Sequence, residues 1–151
     1  MELEPWLHFG HVAGVAIWIG GGSALALIAT RIRATDDLKV LQTFARTLSF
    51  VGLSLFTPAI VVVLLTGIGM VLGSSGDFTT PWIALGITAL VAAFLIGALF
   101  LSRSAIRFGR LANEGDLSGA RAALGNWLSG YIIVLVILFL ALWDMVFKPG
   151  T

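Results

Sequence analysis

PWLHFGHVAGVAIWIGGGSALALIATRI, residues 5–32, is the stretch that decides the fold. The 25 residues from Trp6 to Thr30 contain no acidic or basic side chain except the two histidines, His8 and His11. At a rise of about 1.5 Å per residue, a helix of this length crosses the ~30 Å hydrocarbon core of a bilayer. Because ionisable groups inside a membrane span are costly, the two histidines are the first candidates for a functional site.

The whole chain has the composition of a membrane protein. Of its 151 residues, 58% are hydrophobic and 11% are charged, which is more apolar surface than a soluble domain of this length can bury. Three further apolar runs follow the first, and the predicted spans are about 5–30, 50–73, 81–101 and 127–147. We therefore predict an all-α fold, in which residues 1–151 form a single transmembrane domain built as a four-helix bundle.

Two features of the composition argue against whole classes of function. The net charge of +1 gives no electrostatic basis for a nucleic-acid partner. The chain has no cysteine, and therefore neither a thiolate metal ligand nor a cysteine nucleophile. The sequence also shows no other nucleophile paired with a base, and no phosphate-binding motif. Together these observations favour a protein that is not an enzyme.

The connections between the spans predict the topology. Eight of the nine basic residues lie in the first and third connections, whereas the second contains Asp77 and no basic residue. By the positive-inside rule, the first and third connections are cytoplasmic and both termini are outside. The tryptophans near the span ends, which we expect at the headgroup level, are Trp6, Trp82, Trp127 and Trp143.

The first and third spans match each other when the chain is shifted by 76 residues. PWLHFGHVAGVAIWIGG, residues 5–21, and PWIALGITALVAAFLIG, residues 81–97, are identical at seven of 17 positions. This match predicts a duplicated helical hairpin. Neither histidine has a histidine counterpart in the second half, so a histidine site would belong to the first half alone.

The candidate site lies in the outer half of the predicted bundle. His8, His11 and Trp18 share one helical face, at i, i+3 and i+10. Met70 and Asp144 lie at a similar depth, near the outer ends of the second and fourth spans. The candidate cofactor ligands are His11, His8, Trp18 and Met70, and the candidate metal ligands are His11, His8 and Asp144.

Three interpretations of these residues stay open. In the first they hold haem b or a metal such as copper. In the second His8, His11 and Asp144 carry protons in a small transporter or proton-coupled permeation unit. In the third they are structural, with His11 bonded across helices and Asp144 paired with Lys148, and the protein is a structural membrane partner.

Small residues predict close contacts between helices. Gly10 and Gly14, and likewise Gly69 and Gly73, are spaced four apart, as in helices whose backbones approach closely. The same small residues could instead seal the four-helix core. Because the one-sided histidine pair has no obvious partner opposite it within the chain, we expect the first span to pack against another chain. That chain would be a second copy in a homo-oligomer, or a subunit of a larger membrane complex within the lipid bilayer.

The pattern LHFGHVAGVAIWIGG, in which His11 precedes Trp18, Gly20 and Gly21, resembles a group of small bacterial membrane proteins. The group includes the copper-resistance protein CopD, the HemJ type of protoporphyrinogen oxidase and an uncharacterised family of predicted integral membrane proteins. Similarity to the last covers most of the chain. The resemblance implies a multi-pass protein of the bacterial inner membrane in which His11 binds haem b or a metal. It therefore favours an accessory subunit of a membrane assembly active in electron transport.

The spacing of the histidines limits how haem can bind. Two histidines at i and i+3 point the same way and cannot both ligate one haem. The second axial ligand is then Met70, Met145 or a residue of a second chain, unless the haem is five-coordinate.

Overall fold

The computed structural model describes residues 3–73 and 77–149. Nearly all of these residues are helical and none of them is in a strand, which confirms the all-α prediction. Four of the helices that they form are long and apolar enough to cross a membrane. These helices are α1, Glu4–Arg33; α2, Leu38–Gly73; α3, Pro81–Glu114; and α4, Leu117–Phe147.

Helices α2 and α3 continue well beyond their apolar runs, at the end of the bundle that carries most of the basic residues. The added part of α2 is amphipathic. Leu41, Phe44 and Leu48 are buried there at helical spacing, while Lys39 and Arg46 are exposed. This segment is therefore helical because it packs on its neighbours, and not because it is apolar throughout.

The helix ends follow from local chemistry. Pro5 and Pro81 occupy the first turns of α1 and α3, where the missing N–H of proline costs no hydrogen bond. Asp37 and Asp116 cap α2 and α4 by accepting a hydrogen bond from a backbone N–H of the first turn, at 2.8 Å in each case. The bond to Asp116 favours its ionised form and holds the pKa of that carboxyl below its usual range. Helix α3 ends at Glu114 and is capped by Gly115, whose φ of 82° is left-handed.

The main hydrophobic core lies at the end of the bundle that carries the first and third connections. The second half of α1, the first half of α2, the second half of α3 and the larger part of α4 all contribute to it. Its largest side chains with almost no exposure are Phe108, Leu41, Leu124 and Val134. All four helices therefore meet at this end.

At the other end the closest helix contacts stay within two hairpins. The first half of α1 packs on the second half of α2, and the first half of α3 packs on the second half of α4. Gly10 and Gly86, which match in the internal repeat, have equivalent positions. Gly10 faces Thr66 of α2, and Gly86 faces Met145 of α4. This shared arrangement is what a duplicated hairpin requires.

Three of the described helices contain a π-helical turn. The turns are Ile17–Gly21 in α1, Gly52–Phe56 in α2 and Ile96–Leu101 in α3. The turn in α2 comes just before Pro58, which has no N–H to donate to the preceding turn. Thr57 donates its hydroxyl hydrogen to the carbonyl of Gly52 at 3.1 Å, and so supplies one donor at this irregular place.

Tyr131 of α4 joins the π-helical turn of α1 to the core. Its ring stacks on that of Trp127, with centroids 5.2 Å apart, and its hydroxyl donates to the Trp18 carbonyl at 3.3 Å. Trp127, which was expected at the headgroup level, does not face outward from the bundle: this side chain is 4% exposed and belongs to the core. The reason is that α4 begins at Leu117, well before its apolar run.

The connections lie at the ends that the positive-inside rule requires. The first and third connections meet at one end, where Arg121 forms an ion pair with Asp36 at 2.7 Å. At the opposite end the start of α3 meets the end of α4, where the Lys148 ammonium lies 5.1 Å from the centroid of the Trp82 ring. The orientation of the bundle in the membrane stays a prediction.

Cysteine labelling tests this orientation, because the chain has no native cysteine. Phe78→Cys, in the second connection, is expected to react with an impermeant maleimide on intact spheroplasts, since that connection is predicted outside. Asn113→Cys, near the third connection, is expected to react only after the membrane is permeabilised. Both positions are exposed. Labelling of position 113 but not of position 78 in intact spheroplasts would show the opposite topology.

Candidate functional site

His11 is a buried polar side chain held between α1 and α2. It is 8% exposed, and its Nδ1 lies 3.0 Å from the Val63 carbonyl oxygen and 3.2 Å from the Thr66 hydroxyl oxygen. Gly67 leaves room for the ring, since a Cβ there would lie 3.3 Å from the Cε1 atom of His11. The imidazole therefore packs directly on the backbone of α2.

The hydrogen bonds of His11 determine which ring nitrogen carries the hydrogen. The Val63 carbonyl can only accept, so Nδ1 of the neutral ring has to donate. The Thr66 hydroxyl already donates to the Val62 carbonyl and can likewise only accept from Nδ1. Nε2 then keeps its lone pair, and it is buried with no hydrogen-bond partner among the described residues. Ligating histidines have this arrangement, because they usually donate their other N–H to a carbonyl or carboxylate.

The other candidate cofactor ligands lie in different surroundings. His8 is exposed, and its Nδ1 lies 3.2 Å from the Glu4 carbonyl oxygen of its own helix. Met70 is half-buried, one turn beyond Thr66 on the same face of α2. Trp18 is 4% exposed in the four-helix core, within the π-helical turn. His8, His11 and Trp18 were predicted to share one helical face, but their side chains have three different surroundings. The first is exposed, the second is buried between α1 and α2, and the third is buried in the four-helix core.

Asp144 is a second buried polar side chain at the end of the bundle opposite the first and third connections, and it lies in the other hairpin. It is 5% exposed, and neither carboxyl oxygen has a hydrogen-bond partner among the described residues. A Cβ on Gly86 would lie 3.9 Å from its Oδ2 atom. Lys148, suggested by the sequence as an ion-pair partner for Asp144, instead places its ammonium over the Trp82 ring. A buried carboxyl without a partner is costly and is itself a candidate for function.

The candidate metal ligands do not come together. Residues 3–73 and 77–149 contain no group of three or more His, Cys, Asp or Glu side chains that could hold a metal ion. His11 faces α2 in the first hairpin, whereas Asp144 faces α3 in the second, and His8 is exposed. The structure thus does not assemble the site expected from His8, His11 and Asp144, because the two buried side chains face different helices.

The small-residue face of α1 is covered by the same chain. A Cβ on Gly14 would lie 2.7 Å from Val63 Cγ2, and one on Gly10 would lie 3.2 Å from Thr66 Cγ2. The expectation that these glycines pack against another chain is therefore corrected: α2 packs on them. This close approach also brings the Val63 carbonyl within reach of His11.

A family model described as a predicted integral membrane protein (DUF2269) matches residues 5–149. The chain belongs to this family. No curated protein and no solved structure matches it. The match covers nearly all of the four helices of this DUF2269 protein, including His11 and Asp144, and agrees with the membrane location that their apolar lengths indicate.

Two partners of His11 were not among the predicted site residues. Thr66 has a recognisable signal, since it places a hydroxyl in an otherwise apolar run one turn from Met70. Val63 has none, because its contribution is a backbone carbonyl, which every residue carries.

Proposed function

We propose that this protein is an accessory subunit of a bacterial inner-membrane assembly and that it binds haem b through His11. The observation behind the proposal is the buried Nε2 of His11, which has no partner among the described residues while Nδ1 donates to the Val63 carbonyl. A nitrogen lone pair oriented in this way suits an axial ligand of haem iron. The resemblance of the first helix to CopD-like and HemJ-like proteins supports the same role for His11.

The number of available ligands favours haem over copper. A transition metal bound by side chains alone takes about three or four of them. The described residues contain no such group. In haem the porphyrin supplies the in-plane ligands, so the protein has to provide only the axial ones. A bound haem b would supply one-electron transfer, which is the basis for proposing a role in electron transport.

The second axial ligand has more than one candidate source. Met70 lies on the face of α2 that contacts His11, and a thioether is a known haem ligand. Met145 is less suitable, since its Cε packs at Gly86 in the other hairpin. A residue of a second copy or of a larger assembly would also complete the site, and without any second ligand the haem would be five-coordinate.

Haem binding by the purified protein tests the proposal. Wild-type protein from haem-replete cells is expected to show a Soret absorption band. His11→Ala is expected to lose the Soret band. Loss of a residue that supports a ligand lowers the affinity by roughly 10- to 100-fold, and loss of the ligand itself lowers the affinity further.

His8→Ala is the matched control, since the His8 ring is exposed and its hydrogen bond among the described residues is to the Glu4 carbonyl of its own helix. It should keep the Soret band, and both variants should keep the helical circular dichroism of the wild type. Absence of the band from wild-type protein, or equal loss from the two variants, would contradict the proposal.

Asp144 supports a second candidate function, a small proton-coupled transporter. Its carboxyl is buried in the outer half without a hydrogen-bond partner among the described residues, and intramembrane carboxyls of this kind serve in proton relays. A haem-free wild type that carries protons into liposomes, with activity lost in Asp144→Asn, would favour this function over haem binding. A protein with neither property would be a structural membrane partner.

A further inference from the structure

The basic end of the bundle has a groove that the proposed function does not use. The groove lies between α3 and α4 and has a volume of about 250 Å³. Its lining includes Leu99, Phe100, Arg103, Ser104, Arg107 and Asn126. Along α3 the apolar members come first and the charged members follow toward the third connection. The groove is therefore apolar at one end and basic at the other.

Arg103 and Arg107 carry the charge of the groove. They lie one turn apart on α3, both are exposed, and neither forms an ion pair or hydrogen bond within the described residues. Arg110, one turn further along, differs because it pairs with Glu114 at 3.4 Å. The groove thus presents two positive charges that no acidic side chain of the described chain neutralises.

The π-helical turn of α3 shapes the apolar end of the groove. Leu99 and Phe100 belong to this turn and are 53% and 47% exposed. The Phe100 ring also lies against Gly130 of α4, where a Cβ would lie 2.5 Å from its Cε1 atom. Helices α3 and α4 are therefore in contact at the floor of the groove, while Leu99 and Phe100 remain partly exposed and accessible to a ligand.

The groove lies at headgroup depth. Arg103 follows the apolar run that ends at Leu101, so its guanidinium is expected where the hydrocarbon core gives way to the polar interface. The first and third connections near it hold eight basic residues and only four acidic ones, Asp36, Asp37, Glu114 and Asp116. A ligand at this place meets positive charge on one side and hydrocarbon on the other.

We infer that this groove binds the headgroup of an anionic phospholipid. Arg103 and Arg107 would bind the phosphodiester, because guanidinium groups match phosphate geometry and remain charged. Ser104 and Asn126 would donate to the headgroup oxygens, while Phe100 contacts the acyl chain. Basic pockets between transmembrane helices bind anionic lipids in this way. The inference does not depend on haem binding.

Native mass spectrometry of the full-length protein in a neutral detergent tests the inference. The probes are phosphatidylglycerol and phosphatidylcholine with the same two acyl chains. The first phosphatidylglycerol molecule that binds to the protein is expected to bind about tenfold more tightly than phosphatidylcholine does. The double variant Arg103→Gln/Arg107→Gln is expected to lose this preference.

Arg31→Gln/Arg46→Gln is the matched control. It removes the same charge from exposed positions at the same end of the bundle, but neither residue lines the groove. It should keep the preference for phosphatidylglycerol. Equal loss in both double variants would show a general charge effect, and an equal affinity of wild type for both lipids would also overturn the inference. Displacement of the lipid by an equal concentration of glycerol phosphate would show a site for free phosphate instead.

Discussion

Gly22→Ala is expected to lower the free energy of unfolding by about 3 kcal/mol or more, the upper range for overpacking a core. A Cβ at this position would lie 1.4 Å from the hydroxyl oxygen of Tyr131 and 2.3 Å from its Cζ atom. The tyrosine cannot easily move, because its ring stacks against those of Trp127 and Phe56, with centroid distances of 5.2 and 6.4 Å. The added methyl group therefore pushes α1 away from α4.

Gly20→Ala is the control for this prediction, since a Cβ at Gly20 meets nothing within 4 Å. It should change stability by no more than about 0.5 kcal/mol. Unfolding in mixed micelles, followed by circular dichroism, measures both variants. In a Tyr131→Ala background the obstruction is absent, so the cost of Gly22→Ala should be much smaller there. Equal costs at positions 20 and 22 would contradict the packing described.

Gly14→Leu is expected to separate the first half of α1 from the second half of α2 at a cost of about 3 kcal/mol, while the protein still inserts into the membrane. A Cβ alone would lie 2.7 Å from Val63 Cγ2 and 3.2 Å from the Ala59 carbonyl oxygen, so a leucine does not fit. Displacement of α2 also breaks the 3.0 Å contact between His11 Nδ1 and the Val63 carbonyl. Any property that depends on the orientation of His11, haem binding included, should then be lost.

Spin labels at the exposed positions Phe9 and Leu65 measure this separation, since one lies in the first half of α1 and the other in the second half of α2. Their distance is expected to increase and broaden in Gly14→Leu. Gly73→Leu is the control, because a Cβ on Gly73 meets nothing within 4 Å. An unchanged distance and stability in Gly14→Leu would mean that the two helices do not pack through this glycine.

The number of helices was predictable because an apolar run of membrane-spanning length has few other uses. Their beginnings were less so, and α2 shows the reason. Leu41, Phe44 and Leu48 are core residues at helical spacing, but Lys39 precedes them and Arg46 lies between the last two, and both lower the hydropathy of the segment. A search for apolar runs therefore places the start of the span near residue 50, whereas the helix begins at residue 38.

The importance of His11 was predictable from its cost inside a span, but its bonding was not. Its acceptor is a backbone carbonyl 52 positions away along the chain, and a carbonyl leaves no mark on the sequence. The separation of Trp18 from the histidines has a different cause. His11 and Trp18 are buried on one face of α1, but their positions are seven residues apart, about 10 Å along the helix, so Trp18 reaches the four-helix core and His11 does not.

The π-helical turns of α1 and α3 also bear on the ancestry of the chain. A π-helical turn holds more residues than an α-helical one, so it is equivalent to an insertion that rotates everything after it. At the shift of 76 residues, Ile96–Leu101 corresponds to positions 20–25 and so overlaps the end of Ile17–Gly21, and Arg31 and Arg107, beyond both turns, still match. If the halves descend from one hairpin, that ancestor already contained the insertion. His11, found in one half only, then marks a difference between the halves that arose after the duplication.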